Sequence, residues 1–166
     1  LAGCGVSLQD TVARGDLELA RKLIERNPSV VNARGYLEKT PLHYAVSYKR
    51  LDAMALLMEK GADINAADYT GMTPLHVAAM AGRRDEARLL LKHGADLTRR
   101  DRFGDTPIHT AAVFGQGGMV KLLLDHGADL DALNNEGYSP LDLARNNRRD
   151  RAARYIEELR ARRTIP

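Results

Sequence analysis

The 166-residue sequence predicts an all-α solenoid of stacked helix-turn-helix units, and three observations point there. The phrase Thr73-Pro74-Leu75-His76 recurs at a step of 33 residues: Thr40-Pro41-Leu42-His43 before it, Thr106-Pro107-Ile108-His109 after it, and the weaker Ser139-Pro140-Leu141-Asp142 beyond. A second phrase keeps the same step, in Gly61-Ala62-Asp63, Gly94-Ala95-Asp96 and Gly127-Ala128-Asp129. Between the phrases lie two short apolar-periodic runs per period, too short to form a core alone. Two unrelated phrases locked to one period are the signature of a stacked repeat, in which each unit buries its apolar face against its neighbours.

Ser7 to Glu25 has the apolar spacing of a first helical pair through Leu8, Val12, Leu19, Leu23 and Ile24, with Gly15 at its turn and Pro28 ending it. Gly35-Tyr36-Leu37-Glu38 lacks the Asp-x-x-Gly turn of later units, so residues 7–39 are expected to form an N-terminal cap. Blocks 40–72, 73–105 and 106–138 repeat one plan. Thr caps a helix with Pro at its first position, where the missing N–H costs nothing. A turn follows, at Gly82 or Gly115 in two of the blocks, and then a second helix stopped by Gly61, Gly94 or Gly127 in the left-handed conformation. Leu56-Leu57, Leu89-Leu90-Leu91 and Leu122-Leu123-Leu124 should face neighbouring pairs. The tail of each block, such as Asp68-Tyr69-Thr70-Gly71, is a turn expected to project as a finger. Gly117-Gly118 weakens the start of one second helix by about 1 kcal/mol per residue against Ala. Residues 139–166 form the C-terminal cap, with Leu141, Leu143 and Ala144 inward and a charged second helix over about 150–163.

The phased T-P-L-H phrases resemble the ankyrin repeat, and the resemblance covers residues 7 to about 163. It implies an ankyrin-repeat α-solenoid: a curved stack of helix-turn-helix units with projecting β-hairpin fingers, one domain, acting chiefly as a protein-binding scaffold without catalytic machinery. In that family the histidine of the phrase ties the turn by hydrogen bonds. His43, His76 and His109 are therefore expected to be structural, and units about 10 Å apart could not bring three rings onto one zinc. His93 and His126 suit helix C-termini. Asp63, Asp96 and Asp129 occur once per unit, so they serve the repeat.

Composition narrows the function. With 44% apolar and 28% charged residues, the chain can bury a core, and it has no apolar run long enough to span a membrane. A net charge of +3 is too mild to imply a nucleic-acid partner, and the single Cys4 excludes an intramolecular disulfide. The sequence has no G-x-S-x-G, P-loop, H-E-x-x-H or dinucleotide glycine fingerprint, so no enzyme, cofactor or metal is expected.

The residues that break the repeat are the candidate contacts. The resemblance places the variable finger and inner-helix positions on the concave surface that meets partners. Six of the eight aromatic residues fall there: Tyr36, Tyr48, Tyr69, Phe103, Phe114 and Tyr138. Met72, Met80 and Arg102 share those positions. A Leu/Ala core leaves such rings little room inside, and exposed aromatics with Arg mark interaction sites. The expected partner is a protein, met by a monomer, with no specific nucleic acid. The competing reading is a peripheral binder of an anionic membrane or nucleic acid through the C-terminal cap, where eight Arg face four acidic residues from Ser139 on. The bland account of those arginines is a solvated cap.

Residues 1–6 are expected to be a tail. Leu1-Ala2-Gly3-Cys4 resembles the end of a bacterial lipoprotein signal, in which a small-residue tract precedes a lipidated cysteine. On that reading Cys4 tethers the protein to a membrane facing the periplasm, although one lipid chain holds only marginally. On the other reading this is a trimmed terminus with an inert cysteine, and the protein is cytoplasmic.

Overall fold

The computed structural model describes residues 6–163; Cys4 and the lipoprotein-like residues lie outside them. Ten α-helices follow one another in five antiparallel pairs: α1 (Leu8–Arg14) with α2 (Leu17–Arg26), α3 (Pro41–Ser47) with α4 (Leu51–Glu59), α5 (Pro74–Ala81) with α6 (Arg84–Lys92), α7 (Pro107–Val113) with α8 (Gly117–Asp125), and α9 (Pro140–Asn146) with α10 (Asp150–Arg163). Two 3₁₀ turns, Pro28–Asn32 and Tyr36–Glu38, join the first pair to the second. No described residue is in a β-strand.

The recurring phrase starts each first helix for the reasons its residues suggest. Thr73 is extended at the N-cap and Pro74 occupies the first turn. The Thr73 N–H donates to His76 Nδ1 at 3.2 Å, and the Thr73 hydroxyl lies 2.9 Å from the same nitrogen. His76 Nε2 then reaches the Asp105 carbonyl at 3.0 Å, at the entry to the next unit. His43 makes the same bridge to the Met72 carbonyl, and His109 to the Tyr138 carbonyl. Since Nδ1 accepts and a carbonyl can only accept, the network assigns the neutral Nε2–H tautomer to each ring. Each histidine is a rivet between consecutive units.

Leucine at the phrase's third position fills the centre. Leu42, Leu75 and Ile108 are wholly buried, as are Leu57, Leu90 and Leu123 of the second helices, in one continuous core along the stack. The first helices carry alanine where they touch: Ala45, Ala78, Ala79, Ala111 and Ala112 are fully buried. Small side chains let α1, α3, α5, α7 and α9 pack on one another more closely than α2, α4, α6 and α8 do.

Side chains also bind unit to unit. Arg50 donates to the Ala13 carbonyl at 2.9 Å, Gln116 to Met80 at 3.4 Å and Arg149 to Val113 at 3.0 Å, each reaching the end of the preceding first helix. Asn32 and Asn65 accept from the Asp63 and Asp96 N–H groups at 2.8 and 2.9 Å. Asp63, Asp96 and Asp129 each accept the N–H two residues on, so these aspartates close turns. His93 and His126 bond the carbonyls of Leu89 and Leu122 at their helix ends.

Candidate interaction surface

Three of the fingers are turns closed by their own aspartate or asparagine, Asp68, Asp101 and Asn134. Asp68 Oδ1 accepts the N–H groups of Thr70 and Met72 at 2.8 and 3.1 Å, and Asp101 Oδ1 those of Phe103 and Asp105 at 2.9 Å each. The Asp68 N–H returns to the Met72 carbonyl at 2.9 Å, and the Asp101 N–H to Asp105 at 3.0 Å. Gly71 and Gly104 complete the turns at φ 85 and 78. The first finger, without that aspartate, folds differently: Leu37 and Glu38 both take left-handed backbone, at φ 54 and 58.

The fingers are tied sideways by single backbone bonds. Tyr69 donates to the Leu37 carbonyl at 2.9 Å, Arg102 to Thr70 at 3.0 Å and Asn135 to Phe103 at 3.0 Å. One bond per neighbour fixes the row without making a sheet, so the projecting elements are linked turns. The row carries Tyr36, Tyr69, Phe103 and, at the finger's end, Tyr138. A second row lies at the ends of the first helices: Tyr48 closes α3, Met80 is the penultimate residue of α5, and Phe114 closes α7.

All six of these aromatic rings are solvent-exposed: Tyr36 78%, Phe103 66%, Tyr48 54%, Tyr69 53%, Phe114 45% and Tyr138 39%. Tyr44 and Tyr155, which lie off this surface, pack against the core. Met72 and Met80 are half-buried, and Arg102 is exposed. The Arg102 guanidinium carbon stands 4.0 Å from the centre of the Tyr69 ring, which joins adjacent fingers by a cation–π contact. Leu133 is also exposed, at 53%, where the chain enters the last finger. Sequence reasoning passed over it, although Ala67 and Arg100 at the equivalent positions already break the pattern.

Electrostatics around the histidines are set by burial. It lowers the pKa of His43, His76 and His109 below the ordinary histidine value, against the opposing pull of carbonyl hydrogen bonds and nearby aspartates. Among the described residues no group of three His, Cys, Asp or Glu side chains could hold a metal ion. No described helix is long and apolar enough to cross a membrane.

Four of the eight C-terminal arginines are engaged within the fold. Arg145 pairs with Glu157 and Arg160 with Asp131, while Arg149 and Arg154 donate to the Val113 and Asp150 carbonyls. The acidic partners serve mainly to tie α10 to earlier elements.

Riveted N-caps, an alanine-lined inner row and linked fingers define a protein built as a helical repeat stack. The chain belongs to the ankyrin repeat family. The model for ankyrin repeats in three copies matches residues 8–101, and that for ankyrin repeats in many copies matches residues 97–144. Ankyrin repeats are generally protein–protein interaction modules, and proteins made of them are typically non-enzymatic. Fifty residues, 30% of the chain, are 42% identical to the serine/threonine-protein kinase VIK of Arabidopsis thaliana and span 11% of that protein's length.

Proposed function

We propose that the chain is a non-enzymatic scaffold that holds a protein partner on its concave surface, with Tyr69, Phe103, Phe114 and Tyr138 at the centre of the contact. The observation carrying this reading is that six of the eight aromatic side chains stand in solvent on the finger and inner-helix positions, while the core closes without them. Exposed aromatics gathered on one rigid face favour association. The fingers are already tied to one another, so little ordering would be lost on binding. Likeness to a kinase over fifty residues carries no catalysis to this chain: the sequence has neither H-R-D nor D-F-G, which phosphoryl transfer in that class needs. The engagement of four C-terminal arginines within the fold favours a solvated cap over a nucleic-acid or membrane site.

The test is a paired capture from native extract. One bait is the unaltered chain; the other carries Tyr69→Ala, Phe103→Ala, Phe114→Ala and Tyr138→Ala, with helicity and Tm confirmed unchanged. A protein held by the first and released by the second is the expected result. Equal capture by both overturns the proposal.

A further inference from the structure

Each helical pair turns through one residue in the left-handed backbone region. In three pairs it is glycine: Gly15, Gly82 and Gly115, at φ 82, 65 and 71. In the other two it is a cation: Lys49 at φ 57 and Arg148 at φ 54. A Cβ makes this region unfavourable, and glycine is the residue that ordinarily ends a helix there. Neither cation is needed by the fold. Both are exposed, and neither side chain enters an ion pair or hydrogen bond among the described residues. Strain that a glycine would relieve, kept at two of five equivalent turns, points to function.

Both cations adjoin the inner-helix row of apolar side chains. Lys49 follows Tyr48 and lines a groove of about 330 Å³ with Gly15, Arg50, Leu51 and Asp52. Arg148 lines one of about 320 Å³ with Phe114, Arg149, Asp150 and Arg151. Arg50 and Arg149 are occupied with backbone carbonyls, whereas Lys49, Arg148 and Arg151 are not. Asp52 and Asp150 are the acidic side chains lining these two grooves, and each groove remains net positive.

We propose that the protein partner presents an acidic segment to this edge, with carboxylates at Lys49 at one end and at Arg148 and Arg151 at the other. Its apolar side chains would lie on Tyr48, Met80 and Phe114 between them. This rests on the scaffold reading and adds the chemistry of the partner. Guanidinium forks suit carboxylates, and a row of exposed rings suits the apolar side chains between. The two cations are three units apart. At about 8–10 Å per unit the span is roughly 25–30 Å, which about eight or nine extended residues bridge.

The test uses fluorescence anisotropy on the full chain with a labelled peptide of about twelve residues, Glu at both ends and Phe and Leu between, long enough for that span. We expect it to bind about ten-fold tighter than the same peptide with Gln for Glu, and a half-length peptide to lose a similar factor. Lys49→Gly with Arg148→Gly should weaken binding about ten-fold while raising Tm, since the glycines relax the turns. Binding no tighter than that of the Gln peptide, or unchanged by the glycine pair, overturns the proposal. So does displacement of the peptide by duplex DNA or phosphatidylserine vesicles in preference to a free acidic competitor. Capture of a native partner that survives the glycine pair but not the four aromatic changes leaves the scaffold standing and removes the acidic segment.

Discussion

Asn134 donates its side-chain amide to the Asp105 carboxylate at 2.8 Å, joining two neighbouring fingers. Its other end, Oδ1, accepts the N–H groups of Glu136 and Tyr138 at 3.0 Å each, the work that Asp68 and Asp101 do in their own fingers. Asparagine replaces the finger aspartate at the one place where the preceding unit ends in a carboxylate; the equivalent residues elsewhere are Lys39 and Met72. An amide supplies a donor where a second carboxylate would meet the first.

Asn134→Asp should therefore destabilise the chain by about 2 kcal/mol or more, through a lost charge-assisted hydrogen bond and a new like-charge contact. Burial already raises the Asp105 pKa, and Asn134 is the chief group opposing that rise. Urea unfolding measures the loss. The difference from wild type should shrink in acid, where one carboxylate takes a proton. The exchanged pair, Asp105→Asn with Asn134→Asp, should recover most of it, since amide and carboxylate meet again in reversed order. No recovery in the exchanged pair would show that the pairing is incidental.

That relationship shows what could and could not be seen in the sequence. Helix starts at Thr-Pro, ends at glycine and the bridging histidines were legible because each recurs every 33 residues and depends on its immediate neighbours. The exposed rings were legible because they break that recurrence. The staples from Arg50, Gln116 and Arg149 were not, since each joins residues 36 or 37 apart and the donor changes from unit to unit. The single backbone bonds between fingers leave no mark on side-chain pattern at all. Nor could sequence tell that Lys49 and Arg148 adopt glycine's conformation; that needed the backbone angle.

The buried histidines predict a loss of stability in mild acid. His43, His76 and His109 all have folded pKa values lowered from 6.5, with burial the largest cause. Their contribution is complete above pH 6.5 and is lost as pH falls through the lowered folded values, because the unfolded chain takes up protons first. Each histidine within its window steepens the fall by up to about 1.4 kcal/mol per pH unit. Asp105 runs the other way at lower pH: with its pKa raised above 3.8, its protonated form favours the fold, a contribution lost as pH rises through the raised value. Urea midpoints should thus be nearly level above about pH 7.5 and fall increasingly from there toward pH 5.5. His76→Gln should lower the midpoint at neutral pH and flatten the slope below it. A midpoint insensitive to pH across that range would mean the rings are not buried neutral.

Stacking of the fingers can be read from two glycines with nearly the same backbone. Gly104 has φ +78 and Gly137 φ +81, so alanine at either meets the same left-handed strain, about 1–2 kcal/mol. Their surroundings differ. A Cβ on Gly104 would lie 2.7 Å from the backbone nitrogen of Asn135 in the next finger, whereas one on Gly137 meets nothing within 4 Å. Backbone cannot swing aside like a side-chain tip, so Gly104→Ala must push the neighbouring finger away and strain the Asn135 N–H bond to the Phe103 carbonyl. We expect Gly137→Ala to cost only the strain and Gly104→Ala about 2 kcal/mol more, from overpacking and the disturbed hydrogen bond. Amide exchange at Asn135 should quicken in the second variant alone. Equal costs, with no change in exchange, would show that the fingers do not pack on one another in solution.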